Sequence, residues 1–437
     1  MAIKVCKFGG TSLAAGTVIK GVKNIIESDK ERRFIVVSAP GKRYSGDTKV
    51  TDLLYACHQA KDREELKQRF TPVRNRFISI IKELNSDVDI ISILDGVEEQ
   101  IYLNQSEDFT ASRGEYISAV IMAQVLGAKF VDAKDVIFFK ADGTLDDEKS
   151  YKCVAAALSG VPRAVIAGFY GTGADGKIKT FSRGGSDISG AIVARAVNAS
   201  IYENWTDVSG FLACDPRIVN SPKRINCISY KELRELSYMG ADVLHSESVF
   251  PVRKANIPIQ IKNTFRPQDE GTTILPTSRY LQSGATVTGI AGKKNFTIIF
   301  LEKANMNTEI GFISNVLKVL ADEKISVEHI PSGIDTMSLV IESSQLEGKI
   351  DMVIEGIKRA VSPDTVRVSE DVALIATVGY GMSSSIGTSA RLFNAIAAAN
   401  INIKIIDQGS SEINIIVGVR NEDYEKCIRA IYGEFFN

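Results

Sequence analysis

With 437 residues the chain is long enough for two or three domains and an ample buried core. A composition of 44% hydrophobic and 24% charged residues, with a net charge of −1, is ordinary for a globular protein. It offers no basic stripe for nucleic acid and no polybasic or amphipathic membrane anchor. The six cysteines form no C-x-x-C pair and the three histidines lie far apart, so neither a disulfide framework nor a zinc site is expected. Nothing at the N-terminus resembles a signal peptide and no apolar run approaches membrane-spanning length, so a reduced cytoplasm is the expected setting.

The short apolar run Ile3 to Cys6 reads as a buried strand and leads into Lys7-Phe8-Gly9-Gly10-Thr11-Ser12. Val18-Ile19, Val22 and Ile25-Ile26 then recur at helical spacing, which makes the six residues a strand-to-helix turn with Thr11 or Ser12 as cap. Two glycines let backbone approach a ligand, a helix start presents free N–H groups to an anion, and Lys7 adds a full positive charge. The same residues also read as an ordinary glycine turn beside a solvated lysine. Phe34 to Ser38 is a second buried strand ending in Ala39-Pro40-Gly41, and strand–helix–strand argues for a parallel sheet that binds ligands at its carboxyl ends. A polar loop rich in Lys and Gly runs to Thr48 and Thr51, and helices fill roughly residues 52–103.

Ser112-Arg113-Gly114-Glu115 is expected to open a helix with Glu115 in its first turn, where a carboxylate could simply complement the helix dipole. Gly171 to Gly176 fits G-x-G-x-x-G letter for letter. The strand-like Lys177 to Phe181 follows it instead of a helix, so Asp175-Gly176 is read as a hairpin turn and no dinucleotide site is expected. Ser182-Arg183-Gly184-Gly185-Ser186-Asp187 is a second charged Gly-Gly turn entering a helix, and with the first it suggests a paired anion site. Ile201 to Trp205 is a strand ending in Thr206-Asp207, and Ile257 to Ile261 is expected to be the last main strand before a linker marked by Pro267, Gly271 and Pro276. In the final 145 residues or so, Gly311 and Gly387, Ile325 and Ile401, and Met306 and Met382 are each 76 positions apart. They indicate a tandem β-α-β-β-α-β module in which Ile298 to Leu301 and Ile325 to Ile330 are strands.

On these motifs, together with Trp205-Thr206-Asp207-Val208, nearly the whole chain resembles the aspartate kinases, members of the amino-acid kinase family with tandem regulatory ACT modules. The resemblance implies a three-layer α/β catalytic domain with a mainly parallel sheet over residues 1–283. Two ferredoxin-like ACT modules are then expected over 284–370 and 371–437. It implies transfer of the ATP γ-phosphoryl group to the side-chain carboxylate of aspartate, the first step toward lysine, threonine and methionine. The acceptor is already ionised, so positioning and charge stabilisation are the work required and no general base is needed.

By the same resemblance, Lys7, Gly9 and Gly10 hold the phosphates, with Mg2+ on the phosphates and no metal ligand from protein side chains, and Asp187 orients Lys7. Arg183 takes the substrate's α-carboxylate and Glu115 its α-ammonium, while Ser38, Thr51, Phe169 and Ser186 complete that pocket. Thr206, Asp207 and Arg217 face adenine and ribose. Met306, Ser326, Val327, Glu328 and Ser332 match positions that bind lysine in lysine-inhibited relatives, with threonine a second candidate effector. A homodimer through the ACT modules, or a dimer of dimers, is expected. Two positions depart from the family's usual residues: Leu212, where tyrosine is common, and Asp242, where lysine often stands. Two other readings are a kinase of another small acid such as glutamate, and a non-catalytic amino-acid sensor.

Overall fold

A computed structural model describes residues 2–104, 106–182, 184–241, 244, 249–276 and 285–436. It divides into two compact units: Met1–Phe211, Asn226–Tyr230 and Val243–Tyr280 form the first, and Leu212–Ile225, Lys231–Asp242 and Leu281–Asn437 the second. Two segments that precede residue 283 therefore group with the second unit.

The elements up to the second unit's sheet are β1 (Lys4–Phe8), α1 (Gly16–Glu27), β2 (Arg32–Val37), α2 (Val50–His58), α3 (Arg63–Leu84), α4 (Ile90–Asn104), α5 (Glu107–Leu126), β3 (Lys129–Val131), α6 (Asp147–Leu158), β4 (Ala164–Ala167), β5 (Tyr170–Thr172), β6 (Ile178–Thr180), α7 (Gly185–Ala196), β7 (Ile201–Thr206), β8 (Cys227–Ser229), α8 (Tyr230–Tyr238), α9 (Phe250–Lys254), β9 (Ile259–Asn263) and β10 (Thr272–Leu275). Eight strands form one sheet in the order β3-β4-β2-β1-β7-β9-β10-β8, parallel except for β9 against β10. β2 and β4 end in unbroken runs of buried apolar residues, as strands covered by helices on both faces must. The carboxyl ends of β1, β2, β4 and β7 share one edge, because adjacent parallel strands point the same way.

Three local expectations change. The turn after β1 forms a 3-10 turn over Gly10–Leu13 with no side-chain cap, and α1 begins only at Gly16 behind Ala15. Ser12 instead hydrogen-bonds Thr264 through their hydroxyls at 2.7 Å. Glu115 lies in the middle of α5, whose cap is Ser106, so a dipole role in the first turn is excluded. The stretch expected to be the last main strand is β9, shifted by two residues, and β10 returns antiparallel after it. The hairpin at Asp175-Gly176 forms as expected between β5 and β6.

The second unit's sheet and its helices are β11 (Gly289–Glu302), α10 (Phe312–Asp322), β12 (Thr336–Glu342), α11 (Ile350–Val361), β13 (Thr365–Val378), α12 (Thr388–Ala398), β14 (Ile405–Asp407), β15 (Asn414–Arg420) and α13 (Tyr424–Phe436). The five strands run antiparallel in the order β12-β11-β13-β15-β14. The 76-residue repeat is physical: Gly311 and Gly387 cap α10 and α12 at φ of 84° and 85°, a left-handed conformation open to glycine. Met306 and Met382 are both buried, as are Ile325 and Ile401. Ile325 to Ile330 is not a strand; only the bridge of His329 to Val340 forms there, with the Ile325 side chain spent in the module's core. Among the described residues no helix is long and apolar enough to cross a membrane.

Beneath the first unit's sheet, Glu203 is buried on β7 and accepts from Arg32 Nε at 2.8 Å, Trp205 Nε1 at 2.8 Å and Cys6 Sγ at 3.3 Å. Removing this carboxylate strands a guanidinium and an indole N–H. Glu203→Ala should therefore lower unfolding free energy by about 3 kcal/mol in urea titrations, and an unchanged midpoint would contradict that role.

Candidate active site

A parallel strand pair sets the centre of the site. Register places Lys7 of β1 opposite Asn204 of β7, and both meet Asp187 from the first turn of α7. Lys7 Nζ lies 2.7 Å from Asp187 Oδ1, and Asn204 Nδ2 donates to the same oxygen at 2.8 Å. The ammonium is therefore held at one point by a carboxylate whose own position is fixed. The glycines beside it bring two loops together backbone to backbone. Gly41 N–H donates to Gly10 O at 2.7 Å, and a Cβ on Gly41 would lie 2.7 Å from Gly10 C, so no larger residue fits.

These elements enclose a cavity of about 520 Å³. Of the residues expected from sequence, Lys7, Gly9, Gly10, Ser38, Thr51, Glu115, Asp187, Thr206 and Asp207 line it together. Ser186 is buried in the first turn of α7, near Gly168. Phe169 follows β4 with φ at +79°, a strained backbone for a side chain of this size and one found where a site demands a particular geometry. Arg183, Asp242 and His245 lie outside the described residues. Arg217 is not among the cavity's walls: it belongs to the second unit, is exposed, and pairs with Asp215 at 2.6 Å. Sequence reading missed Asn204, Thr11, Lys42 and Lys49, which also line the cavity. Asn204 could have been found from register, since β1 and β7 end together; for the two lysines the only signal was a lysine-rich loop.

Glu115 is the anomaly. It is 4% exposed, and its Oε2 has no hydrogen-bond partner among the described residues. Burial pushes its carboxyl up to about 8, against the pull of a hydrogen bond with the Ala39 backbone and the positive charges of Arg113 and Lys7. The cavity thus holds a fixed cation for an anionic ligand and a buried carboxyl short of a partner that an ammonium would complete.

In the second unit, Met306 sits in a 3-10 turn tied to the following loop by Asn307 N–H on Ile334 O at 3.1 Å and Asn305 N–H on Asp335 Oδ1 at 2.8 Å. That brings the turn to the loop carrying Ser332, which itself bridges Met337. Ser326 N–H donates to Gln345 Oε1, Val327 packs on the module core, and the Glu328 carboxyl, raised by burial, accepts from Tyr238.

Residues 2–263 match the amino acid kinase family and residues 375–435 an ACT domain. Aspartokinase 3 of Bacillus subtilis is 37% identical over 99% of both chains, and chloroplastic aspartokinase 1 of Arabidopsis thaliana is 29% identical over 99% of this chain and 80% of that one. The crystal structure of Clostridium acetobutylicum aspartate kinase shares 50% identity at a TM-score of 0.91, covering all of both chains. That of E. coli aspartokinase III in complex with aspartate and ADP shares 27% at 0.75, again over all of both. The chain belongs to the amino acid kinase family and, within it, to the aspartokinases.

The Glu115 carboxyl makes stability depend on pH. Its folded value lies above the ordinary 4.5, so its contribution is complete below pH 4.5 and is lost as pH rises through about 8. Unfolding measured from pH 5.5 to 8.5 should show the unligated protein weakening by an amount on the order of a few kcal/mol, with Glu115→Gln removing most of that slope. Parallel slopes for the two proteins would contradict the buried neutral carboxyl.

Proposed function

We propose that the protein transfers the γ-phosphoryl group of MgATP to the side-chain carboxylate of L-aspartate, giving 4-phospho-L-aspartate on the route to lysine, threonine and methionine. The observation that carries this reading is Glu115: a buried carboxyl with an unpartnered oxygen, in the same cavity as the Lys7–Asp187 pair, suits an acceptor bearing an α-ammonium beside a reacting anion. The E. coli relative bound to aspartate and ADP supports it.

In this reading Glu115 receives the ammonium and Arg183 takes the α-carboxylate through its planar fork. Ser38, Thr51, Phe169 and Ser186 complete the acceptor pocket. Gly9, Gly10, Thr206 and Asp207 take the nucleotide, with Mg2+ carried on its phosphates. Two like charges about 4 Å apart repel by about 4 kcal/mol at an effective dielectric near 20, so bringing carboxylate to phosphate requires compensation. Lys7, oriented by Asp187, supplies that charge where it develops.

The regulatory reading is lysine, alone or with threonine, acting at Met306, Ser326, Val327, Glu328 and Ser332. Its support is the partly buried acidic Glu328 and the E. coli relative solved with lysine and aspartate, 27% identical at a TM-score of 0.73. The wholly exposed Ile310 and Ile386, at matching positions of the repeat, favour a homodimer through the ACT modules. Six scattered cysteines without a C-x-x-C pair fit a reducing cytoplasm.

Aspartyl-hydroxamate formation with MgATP tests the reaction: wild-type protein should turn over with aspartate and not with glutamate, and absent turnover would sink the reading. Lys7→Ala should lower kcat about 100-fold or more with little change in aspartate KM. Arg183→Lys should raise the aspartate KM more than the ATP KM, because the fork is lost. Lysine and threonine, singly and together, should slow the initial rate or shift the melting temperature; rates and melting indifferent to both would remove the feedback role.

A further inference from the structure

Arg76 is a buried arginine on α3, its side chain 4% exposed, and none of the roles above uses it. Among the described residues, all its hydrogen bonds go to one loop. Nη2 contacts both Asp47 oxygens, at 2.8 and 2.7 Å, and Thr48 O at 3.2 Å, while Nη1 donates to Gly41 O at 2.9 Å. Asp47 is gripped from its other side by Arg43 Nε at 2.9 Å. The two backbone carbonyls are the informative contacts. Gly41 and Thr48 immediately precede Lys42 and Lys49, the two exposed lysines that line the cavity with Lys7. Neither lysine makes an ion pair among the described residues. One planar guanidinium therefore fixes the chain just before each lysine, and the Gly41 end is also bonded to Gly10 of the glycine turn.

We infer that Arg76, with Asp47, is a positioning residue for phosphoryl transfer: it sets the 41–49 loop so that Lys42 and Lys49 bring their charges to the polyphosphate of the nucleotide. A lysine at position 76 would keep the charge but could not span Asp47, Thr48 and Gly41 in one plane. A loop braced only for stability would have no need for its brace points to flank the cavity's free cations.

The inference rests on the proposed MgATP-dependent activity, so its test reads nucleotide binding apart from turnover. MgATP is titrated calorimetrically into wild type, Asp47→Asn, Arg76→Lys, the pair Lys42→Ala/Lys49→Ala, and that pair combined with Asp47→Asn; melting is recorded for each. Each of the first three variants should weaken MgATP by about tenfold, and adding Asp47→Asn to the lysine pair should weaken it little further, since the loop acts through the lysines. Arg74→Lys, on the same helix but paired with Asp95 and Glu98, should bind as wild type does. Wild-type affinity in the folded Asp47→Asn protein or in the folded Lys42→Ala/Lys49→Ala protein, or losses that multiply in the combination, would overturn the role. Should Arg76→Lys fail to fold, the Asp47→Asn arm decides the question alone. An active wild type with indifferent variants sinks only this inference. MgATP binding that responds to the variants without transfer to aspartate leaves it standing and sinks the proposed reaction. A wild type that binds no MgATP overturns both.

Discussion

Charge taken out of water must be partnered, and the first unit is organised by that constraint. Three buried or nearly buried pairs obey it: Arg32 with Glu203 under the sheet, Arg76 with Asp47 behind a loop, and Lys7 with Asp187 at the cavity. In each, one member sits on a strand or long helix and the other reaches it from a different element. The pairs therefore lock elements together as well as neutralising charge. Glu115, a buried carboxyl with one oxygen unpartnered among the described residues, departs from that rule inside the cavity. Burial raises its carboxyl to about 8, which favours the protonated form in the unligated protein at neutral pH.

The two behaviours suit the two ends of a phosphoryl transfer. On the proposed reading, Lys7 would act on every phosphoryl group, and Asp187 holds it rigidly, so that nothing has to reorganise as charge develops. Glu115, on the same proposed reading, is left incomplete so that the acceptor's own ammonium would supply the missing partner, and an analogue lacking it would leave the carboxyl unpaired. The strained Phe169 and the contact of Gly41 with Gly10 belong to the same economy of space, in which loops at the carboxyl edge approach more closely than side chains ordinarily permit.

Much of this was legible in the chain because it is local. A buried strand followed by Lys-x-Gly-Gly, a second charged Gly-Gly turn, and a 76-residue repeat announce themselves by pattern, and the false dinucleotide motif is exposed by the strand that follows it. What sequence did not give is long-range. Helix α5 starts eight residues before Glu115, capped by Ser106, so the expected first-turn carboxylate became a mid-helix group buried against Ala39. Arg76 is 29 residues from Asp47, and no periodicity connects them. Ile325 to Ile330 has strand-like composition, yet its backbone forms one bridge, His329 to Val340.

The account stands or falls on whether Glu115 gives up its proton to receive an ammonium. Calorimetric titration of aspartate into the protein near pH 7, in buffers of different ionisation enthalpy, counts protons exchanged on binding. Release of about one proton per aspartate bound, abolished in Glu115→Gln, is the predicted result. Binding with no proton exchange in the wild-type protein would contradict it.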